Sequence, residues 1–437
     1  MSDTIYALSS APGRAGVAVI RVSGALAGQV LAGLTAAALP APRLAALRQL
    51  TDARGDVIDQ GLVLWLPGPK SFTGEDMAEF HVHGGRAIVE AMLAAVGALP
   101  GCRPADPGEF TRRAVENGKF DVTQAEALGD LIDAETEAQR RQAVRQHQGS
   151  LAELYEGWRG RLIRALAWAE AAIDFSDEDL PADVFARSNM EVFDIYNEIT
   201  SHLSDARRGE LVRDGLFLTV IGSPNAGKSS LINALAQRDV AIVAETAGTT
   251  RDIIEVRLNI GGYAVIVADT AGLRAAADAV ESEGVRRALA RAEQSDLVLL
   301  LLDGSAAEPL AGLPEGTTAK ADLTVWNKAD LPAPARRTGL TLSLKTGDGL
   351  DTLLAAIARQ VTQRLDRPSE APVLTRARHR HALEQAAAAL ARSREATEPE
   401  LFAEDLRLAV RAIGRITGRV DVEELLDVVF RDFCIGK

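Results

Sequence analysis

The chain has 437 residues, 47% of them hydrophobic and 25% charged, with a formal net charge of −13. At about 150 residues per domain that length predicts roughly three folded units. The acidic balance excludes a protein that coats nucleic acid with its whole surface, because sequence-independent affinity needs many Lys and Arg facing phosphates.

An aromatic share of 4% disfavours a base-stacking platform of many rings. Cys102 and Cys434 lack CxxC spacing and exclude a disulfide framework, which fits a reducing, cytoplasmic setting. The opening stretch MSDTIYALSSAPGR has no basic head before an apolar run, and LVLLLL (Leu297 to Leu302) is too short to span a bilayer, so a soluble protein without membrane contact is expected. Any nucleic-acid contact must be local. RRQAVRQHQ (Arg140, Arg141, Arg145) and TRARHRH (Arg376, Arg378, Arg380) could supply it, and the plainer reading of each is a solvated helix face.

Residues 1 to about 118 alternate short β-rich runs, such as GVAVIRVSG and GLVLWLPG, with Gly and Pro, and hold one helical run, GRAIVEAMLAAVGAL. From Val122 to Phe175 the period becomes helical, with Leu151, Leu154, Tyr155, Trp158, Leu162, Leu166 and Ala169 on one face. DFSDEDLPADVF, with Pro181, marks a break before a second helical stretch that runs to about Arg213. GLFLTVIGSPNAGKSS then opens an alternation in which YAVIVADTAG, DLVLLLLDG, DLTVWNKAD and LTLSLKTG read as apolar strands ending in polar loops. That pattern predicts a doubly wound parallel sheet with its ligand at the carboxyl ends of the strands. Past about Gln363 the Ala-rich helical pattern returns.

The fold expected is therefore multidomain α/β: an α+β domain over 1–118, a helical domain split between 119–212 and 364–437, and an α/β module over 213–363 inserted into it.

GSPNAGKS, Gly222 to Ser229, fits G-x-x-x-x-G-K-[ST] between an apolar strand and a helix. Its glycines let backbone N–H groups turn onto phosphates, Lys228 reaches the outer phosphates, and the Ser229 hydroxyl can hold Mg²⁺. DTAG, Asp269 to Gly272, ends a later strand, where Asp269 can hold the Mg²⁺ shell and the Gly272 N–H can sense the terminal phosphate. Between them, AGTTRD offers Thr249 and Thr250; Thr250 completes the metal shell only while that phosphate is present, which makes an order–disorder switch.

NKAD, Asn327 to Asp330, decides the base. Asp330 can accept from N1–H and the 2-amino group of guanine, whereas adenine would leave a buried carboxylate unpaired. Asn327 would brace the loop, Lys328 would lie across the ring, and the SLK stretch (Ser343, Leu344, Lys345) would lend N–H groups to the guanine oxygen. After DTAG stands Leu273, which cannot position water, so another group must. Glu281 in AVESEG is the candidate, with solvent exposure as its plain alternative; Asn225 could help hold a monovalent cation or could simply fill the loop.

Over essentially its full length the chain resembles the TrmE family of tRNA-modification GTPases. The stretches that carry the likeness are APGRAGVAVIRVSG, SFTGEDMAEF, HGG, PGEFTRRAVENGKFDVTQAEALGDLIDAET, AAIDF, GSPNAGKSSLINAL, AGTTRD, DTAGLR, NKAD and the terminal FCIGK. The resemblance implies an N-terminal folate-binding-like domain, a discontinuous helical domain and a Ras-like GTPase domain. It implies a homodimer made through the N-terminal domains that works with a flavin-dependent partner, MnmG, which alone carries FAD. Together they add an aminomethyl or carboxymethylaminomethyl group to C5 of the wobble uridine of certain tRNAs, with the carbon from 5-formyl- or 5,10-methylene-tetrahydrofolate.

Carried over by motif, the GTP contacts are Asn225, Ala226, Gly227, Lys228, Ser229 and Ser230, the loop Ala244, Glu245, Thr246, Ala247, Gly248, Thr249 and Thr250, then Asp269, Thr270, Ala271 and Gly272, and Asn327, Lys328, Ala329, Asp330, Ser343, Leu344 and Lys345. K⁺ falls to Asn225, Ala244, Thr246 and Thr249, Mg²⁺ to Ser229 and Thr250, and catalysis to Glu281, Lys228 and Asp269. Folate contacts fall to Arg21, Glu79, Lys119 and Lys437; the bland alternatives are surface charges for Arg21 and Glu79 and a turn cap for Lys119. Cys434 is a candidate catalytic thiol or a small core residue. A reading from a different class is a GTP-dependent RNA- or ribosome-assembly switch without modification chemistry, and folate binding discriminates between the two.

Overall fold

The structure is a computed structural model that describes residues 3–174, 183–205, 207–238, 240–242, 255–268, 295–311, 313, 317–334, 337–366, 372–420, 426, 429–430, 433 and 436. It divides into two compact units, one of Met1–Gly129, Gln146–Val192 and Ala389–Lys437, the other of Asp130–Arg145 and Phe193–Ala388. Residues of the expected helical domain thus fall in both units.

In the first unit the chain runs β1 (Thr4–Leu8), β2 (Ala15–Ser23), α1 (Ala27–Thr35), β3 (Ala46–Thr51), β4 (Val57–Leu66), β5 (Met77–Gly84), α2 (Arg86–Gly97), β6 (Cys102–Pro104) and α3 (Glu109–Glu116). The strands form one sheet in the order β3-β4-β5-β2-β1-β6, antiparallel except for β1 and β6. Because strand side chains alternate, Ile20, Val22, Phe80 and Val63 face a core closed by Val30 and Leu31 of α1 and Met92 and Val96 of α2. The alternate residues face the other way, in rows given by the register: Leu64, Glu79, Arg21, Ala7, and beside it Leu47, Leu62, His81, Val19. Leu47 and Leu62 on this face are exposed. The expectation of a single helical run here was too sparse: AGQVLAGLT forms α1, with Val30, Leu31 and Leu34 buried at helical spacing.

The helical residues after this sheet begin α4 (Val122–Ile132), α5 (Glu137–His147), α6 (Ser150–Asp174) and α7 (Asp183–Leu203). Within the first unit α6 buries Leu151, Tyr155, Trp158, Leu162, Ala165 and Ala169, while Leu154 and Leu166, expected on that face, are half-buried at its flanks. Its partner is the helix Pro399–Thr417, which buries Phe402, Leu406, Ala409, Ile413 and Ile416. The pair is antiparallel, as Thr417 Oγ1 to Glu156 Oε1 (2.7 Å) and Arg407 to Glu170 (2.8 Å) require.

In the second unit α8 (Arg208–Asp214) leads into β7 (Leu216–Ile221), α9 (Lys228–Ala236), β8 (Glu255–Ile260), β9 (Tyr263–Ala268), β10 (Leu297–Asp303), β11 (Leu323–Asn327), β12 (Leu340–Thr341) and α10 (Leu350–Leu365). The sheet order is β12-β11-β10-β7-β9-β8, and every pair is parallel except β8 with β9. The sheet is therefore mixed rather than wholly parallel, since the tight turn at Gly261 and Gly262 joins β8 and β9 as a hairpin. LTLSLKTG forms only the two-residue β12. The unbroken run LVLLLL of β10 follows from burial on both faces: Leu297, Leu299 and Leu301 pack into the larger core with Leu231 and Ile357, and Val298, Leu300 and Leu302 into a second one with Ile221 and Trp326.

The junction within this unit centres on one carboxylate. Asp130 Oδ1 accepts from Arg213 Nε at 3.0 Å, just before β7, and from Arg376 Nη2 at 2.7 Å, after α10. Gln139 Nε2 donates to the Arg213 carbonyl (2.9 Å) and Gln142 Nε2 to that of Gly209 (2.8 Å). Arg380 binds Asp205 at 2.8 Å and Glu210 at 2.9 Å. The TRARHRH stretch is thus neither a nucleic-acid patch nor a solvated face at Arg376 and Arg380, because the half-buried Asp130 and the buried Asp205 and Glu210 of the same unit hold them. Arg140 and Arg141, by contrast, are exposed and pair with Glu137. Asp130→Ala, which removes the acceptor shared by Arg213 and Arg376 while Arg213 keeps its pair with Asp214, is expected to destabilise the protein by about 1–3 kcal/mol, read as a lower urea midpoint, with Asp130→Asn recovering part of the loss.

Candidate functional site

β7 delivers the phosphate loop at the point where strand succession reverses, the crevice in which such sheets take their ligands. Asn225 stands exposed in the left-handed region at φ 62°, and Ala226 is buried beneath the loop. Gly227 has φ 103°, and a Cβ there would collide with the Asn327 side-chain amide, so no other residue fits. α9 begins at Lys228, whose Nζ donates to the carbonyls of Gly222 (2.9 Å) and Ser223 (3.0 Å) and is held over the loop. Ser229 and Ser230 lie exposed on the first helical turn, where unpaired N–H groups and the helix dipole favour an anion. A serine hydroxyl, accessible beside such an anion site, is an oxygen donor of the kind Mg²⁺ takes together with phosphate.

The base loop follows β11. Asn327 is 3% exposed; its Nδ2 donates to the Ala226 carbonyl at 2.7 Å and its Oδ1 accepts from the Leu344 N–H at 3.3 Å. One amide therefore ties the phosphate loop to the SLK loop. Ala329 N–H donates to the Leu342 carbonyl (3.0 Å). Asp330 accepts from Ser343 Oγ at 2.7 Å, and that hydrogen bond holds its carboxyl below the usual carboxylate range, with Lys345 and Arg337 adding to the effect. Asp330 is exposed rather than buried, so the penalty against adenine arises only once a base covers it. Lys345 is exposed beside it.

Two residues here went unnoticed in the sequence. Asp303, at the end of β10, binds Lys328 Nζ at 2.6 Å; burial would raise its pKa, but the hydrogen bonds from Lys328 and Ser305 outweigh that and keep it low. The signal was present, since an acid ends the greasy run LVLLLLDG. Arg337 donates to backbone carbonyls on both sides of the loop, and no motif marks it.

In the first unit, Arg21 and Glu79 sit directly opposite on β2 and β5 and pair at 3.0 Å, with side chains 20% and 16% exposed. They are not loose surface charges. The guanidinium lies 5.2 Å from the Phe72 ring centroid and 5.8 Å from that of Phe110, and His81 Nε2 is 3.4 Å from Glu79 Oε2. Lys119 Nζ donates to the Pro69 carbonyl at 2.8 Å, so it braces the loop ahead of Phe72. Ala244, Glu245, Thr246, Ala247, Gly248, Thr249, Thr250, Asp269, Thr270, Ala271, Gly272, Glu281, Cys434 and Lys437 lie outside the described residues.

A strand-to-helix phosphate loop and an N-K-x-D loop at the carboxyl ends of one sheet define a P-loop GTPase module. The family model described as "GTP-binding protein TrmE N-terminus" matches residues 4–119, and the one described as "MnmE helical domain" matches residues 122–434. The tRNA modification GTPase MnmE of Parvibaculum lavamentivorans is 55% identical over 442 residues and that of Paramagnetospirillum magneticum 56% over 443, each covering 100% of both chains. The chain belongs to the MnmE family of tRNA modification GTPases and is a GTP hydrolase of that class. Among solved structures, the G domain of the T. maritima FeoB iron transporter aligns with 34% of this chain and 99% of its own, at 23% identity and a TM-score of 0.26.

Because the Ser343 hydroxyl is the main cause of the low Asp330 pKa, Ser343→Ala is expected to raise it toward the ordinary carboxylate value. On the reading that Asp330 accepts from guanine, the ionised form is the one that binds, so the acid limb of GDP binding is expected to move to higher pH in the variant. Fluorescence titration of labelled GDP between about pH 3 and 7 checks this.

Proposed function

We propose that this protein is a potassium-activated GTPase that acts with a flavin-dependent partner, MnmG, to build an aminomethyl or carboxymethylaminomethyl group on C5 of the wobble uridine of certain tRNAs in the cytoplasm. The observation that carries the nucleotide part is the Asn327 amide, which fixes the phosphate loop and the base loop in one frame. Guanine meets Asp330 and the N–H groups of Ser343, Leu344 and Lys345. Phosphates meet the N–H groups of Asn225 to Ser230 and the Lys228 ammonium, which exchanges its carbonyl partners for them. Mg²⁺ falls to Ser229 with Thr250, K⁺ to Asn225 with Ala244, Thr246 and Thr249, and the attacking water to Glu281.

The Arg21–Glu79 pair supports a folate site. A carboxylate accepts from the amino-pyrimidinone edge of a pterin as one does from guanine, and aromatic rings beside a guanidinium suit a flat ligand. When bound, the folate supplies the one-carbon unit. Arg21 and Glu79 would bind and orient it, with Lys119 and Lys437 completing the charge pattern. The exposed Leu47 and Leu62 on the same face of an edge-strand pair support dimerisation through this domain, since an uncovered apolar edge is otherwise an aggregation hazard. Among the described residues no helix is long and apolar enough to cross a membrane.

Titration of the purified protein with 5-formyltetrahydrofolate is expected to show binding that Arg21→Ala weakens by about tenfold or more; no binding would favour an assembly switch without modification chemistry. Replacing K⁺ by Na⁺ is expected to lower the kcat for GTP by more than about tenfold, and equal rates in the two salts would remove Asn225 from its role.

A further inference from the structure

We infer that Arg337 is a positioning residue for base recognition: its guanidinium gathers the carbonyls that frame the NKAD turn and holds Asp330 in register with the guanine edge. The inference rests on the guanine-site reading above and concerns what keeps that site in shape.

Directly after Asn327 the chain must reverse so that Asp330 can face Ser343, and Lys328 does this in the left-handed region, at φ 61°. That conformation is strained for a residue with a Cβ and persists only where the surroundings hold it. Arg337 supplies the hold. Its Nε and Nη2 both donate to the Gly304 carbonyl, at 3.2 and 3.0 Å, and Nη2 also reaches the carbonyls of Leu331 at 2.7 Å and Lys328 at 3.3 Å. One planar cation thus spans the end of β10 and the two carbonyls that bracket the turn.

The surroundings are shaped to admit it. A Cβ on Gly304 would stand 2.6 Å from Arg337 Nε and 2.7 Å from the Asn327 carbonyl. The Gly304 N–H donates to that same carbonyl at 2.9 Å, so the residue that carries the guanidinium's main acceptor is itself bonded to the root of the base loop. The segment bearing Arg337 is anchored independently, because Trp326 Nε1 donates to the Thr338 carbonyl at 2.9 Å. A lysine has the charge but not the fork, and cannot serve three carbonyls in one plane. Its guanidinium donates to backbone carbonyls of the base loop and the end of β10, so it acts through loop shape.

The test compares GDP with IDP, which lacks the 2-amino group that Asp330 is argued to read, on the full-length protein. Arg337→Ala is expected to bind GDP about tenfold more weakly and to lose most of the preference for GDP over IDP, while its KM for GTP rises by a larger factor than its kcat falls. Arg337→Lys should lie between the variant and the parent, and Gly304→Ala, which crowds the same guanidinium, should reproduce the loss of preference. An unchanged GDP-to-IDP ratio in Arg337→Ala overturns the inference, whether affinity is intact or both nucleotides weaken equally, as general loosening would produce. Asp330→Asn separates the two levels. If it gains affinity for XDP while Arg337→Ala keeps its base preference, the inference alone fails; if it leaves base choice untouched, the guanine-site reading fails and the inference with it.

Discussion

The nucleotide site hangs on a single buried amide. Asn327 meets the β7 loop through Nδ2, the SLK loop through Oδ1 and the end of β10 through its own carbonyl, which accepts from Gly304. A donor and an acceptor are needed on one side chain in one place. A carboxylate would face the Ala226 carbonyl with a second negative oxygen, and an aliphatic residue would orphan a buried N–H and a buried carbonyl, each worth roughly 1–3 kcal/mol. The close approach explains Gly227 in turn, because only a residue without a Cβ leaves room for the amide. Strength of phosphate binding and choice of base are therefore not independent properties of this fold; a displacement of either loop is felt by the other through Asn327.

A second carboxylate-centred cluster does for the ends of the α/β module what Asn327 does for its loops. Asp130 receives guanidinium groups from just before the first strand and just after the last helix, and Gln139 and Gln142 clasp the α8 backbone between them. An inserted module whose entry and exit are pinned to one helix end does not dangle on linkers. Residues 130–145 and 193–214 therefore belong with the α/β core as one compact unit.

What could be seen in advance followed the strength of local signals. The placing of GSPNAGKS and NKAD on loops at strand ends was legible because each motif follows an apolar strand run, and LVLLLL because burial on both faces removes alternation. α1 was missed although Val30, Leu31 and Leu34 carry its period, because Gly and Ala dilute it. β8 was missed as a strand, because Glu255, Arg257 and Asn259 interrupt its apolar residues, and with it went the two-glycine hairpin that makes the sheet mixed. Arg337 and Arg376 were illegible for a different reason. Each acts on partners distant in sequence, and a lone Arg in a polar stretch reads as solvated until the fold brings its acceptors to it.

Reassigning those arginines changes the charge arithmetic of the proposed role. With a net charge of −13, the protein can meet tRNA only where basic groups are concentrated. Arg376 and Arg380 spend their charge on Asp130, Asp205 and Glu210, and each exposed pair on α5 shares Glu137. Glu137 has a pKa pulled down to about 2 by Arg140 and Arg141, so it stays ionised and offsets one of their two charges at any physiological pH. The charge these two stretches offer a polyanion is therefore reduced, most at Arg376 and Arg380, while the exposed Arg145 on α5 keeps its own. A tRNA contact on these stretches would have to rest on a few directed contacts rather than on a broad basic face.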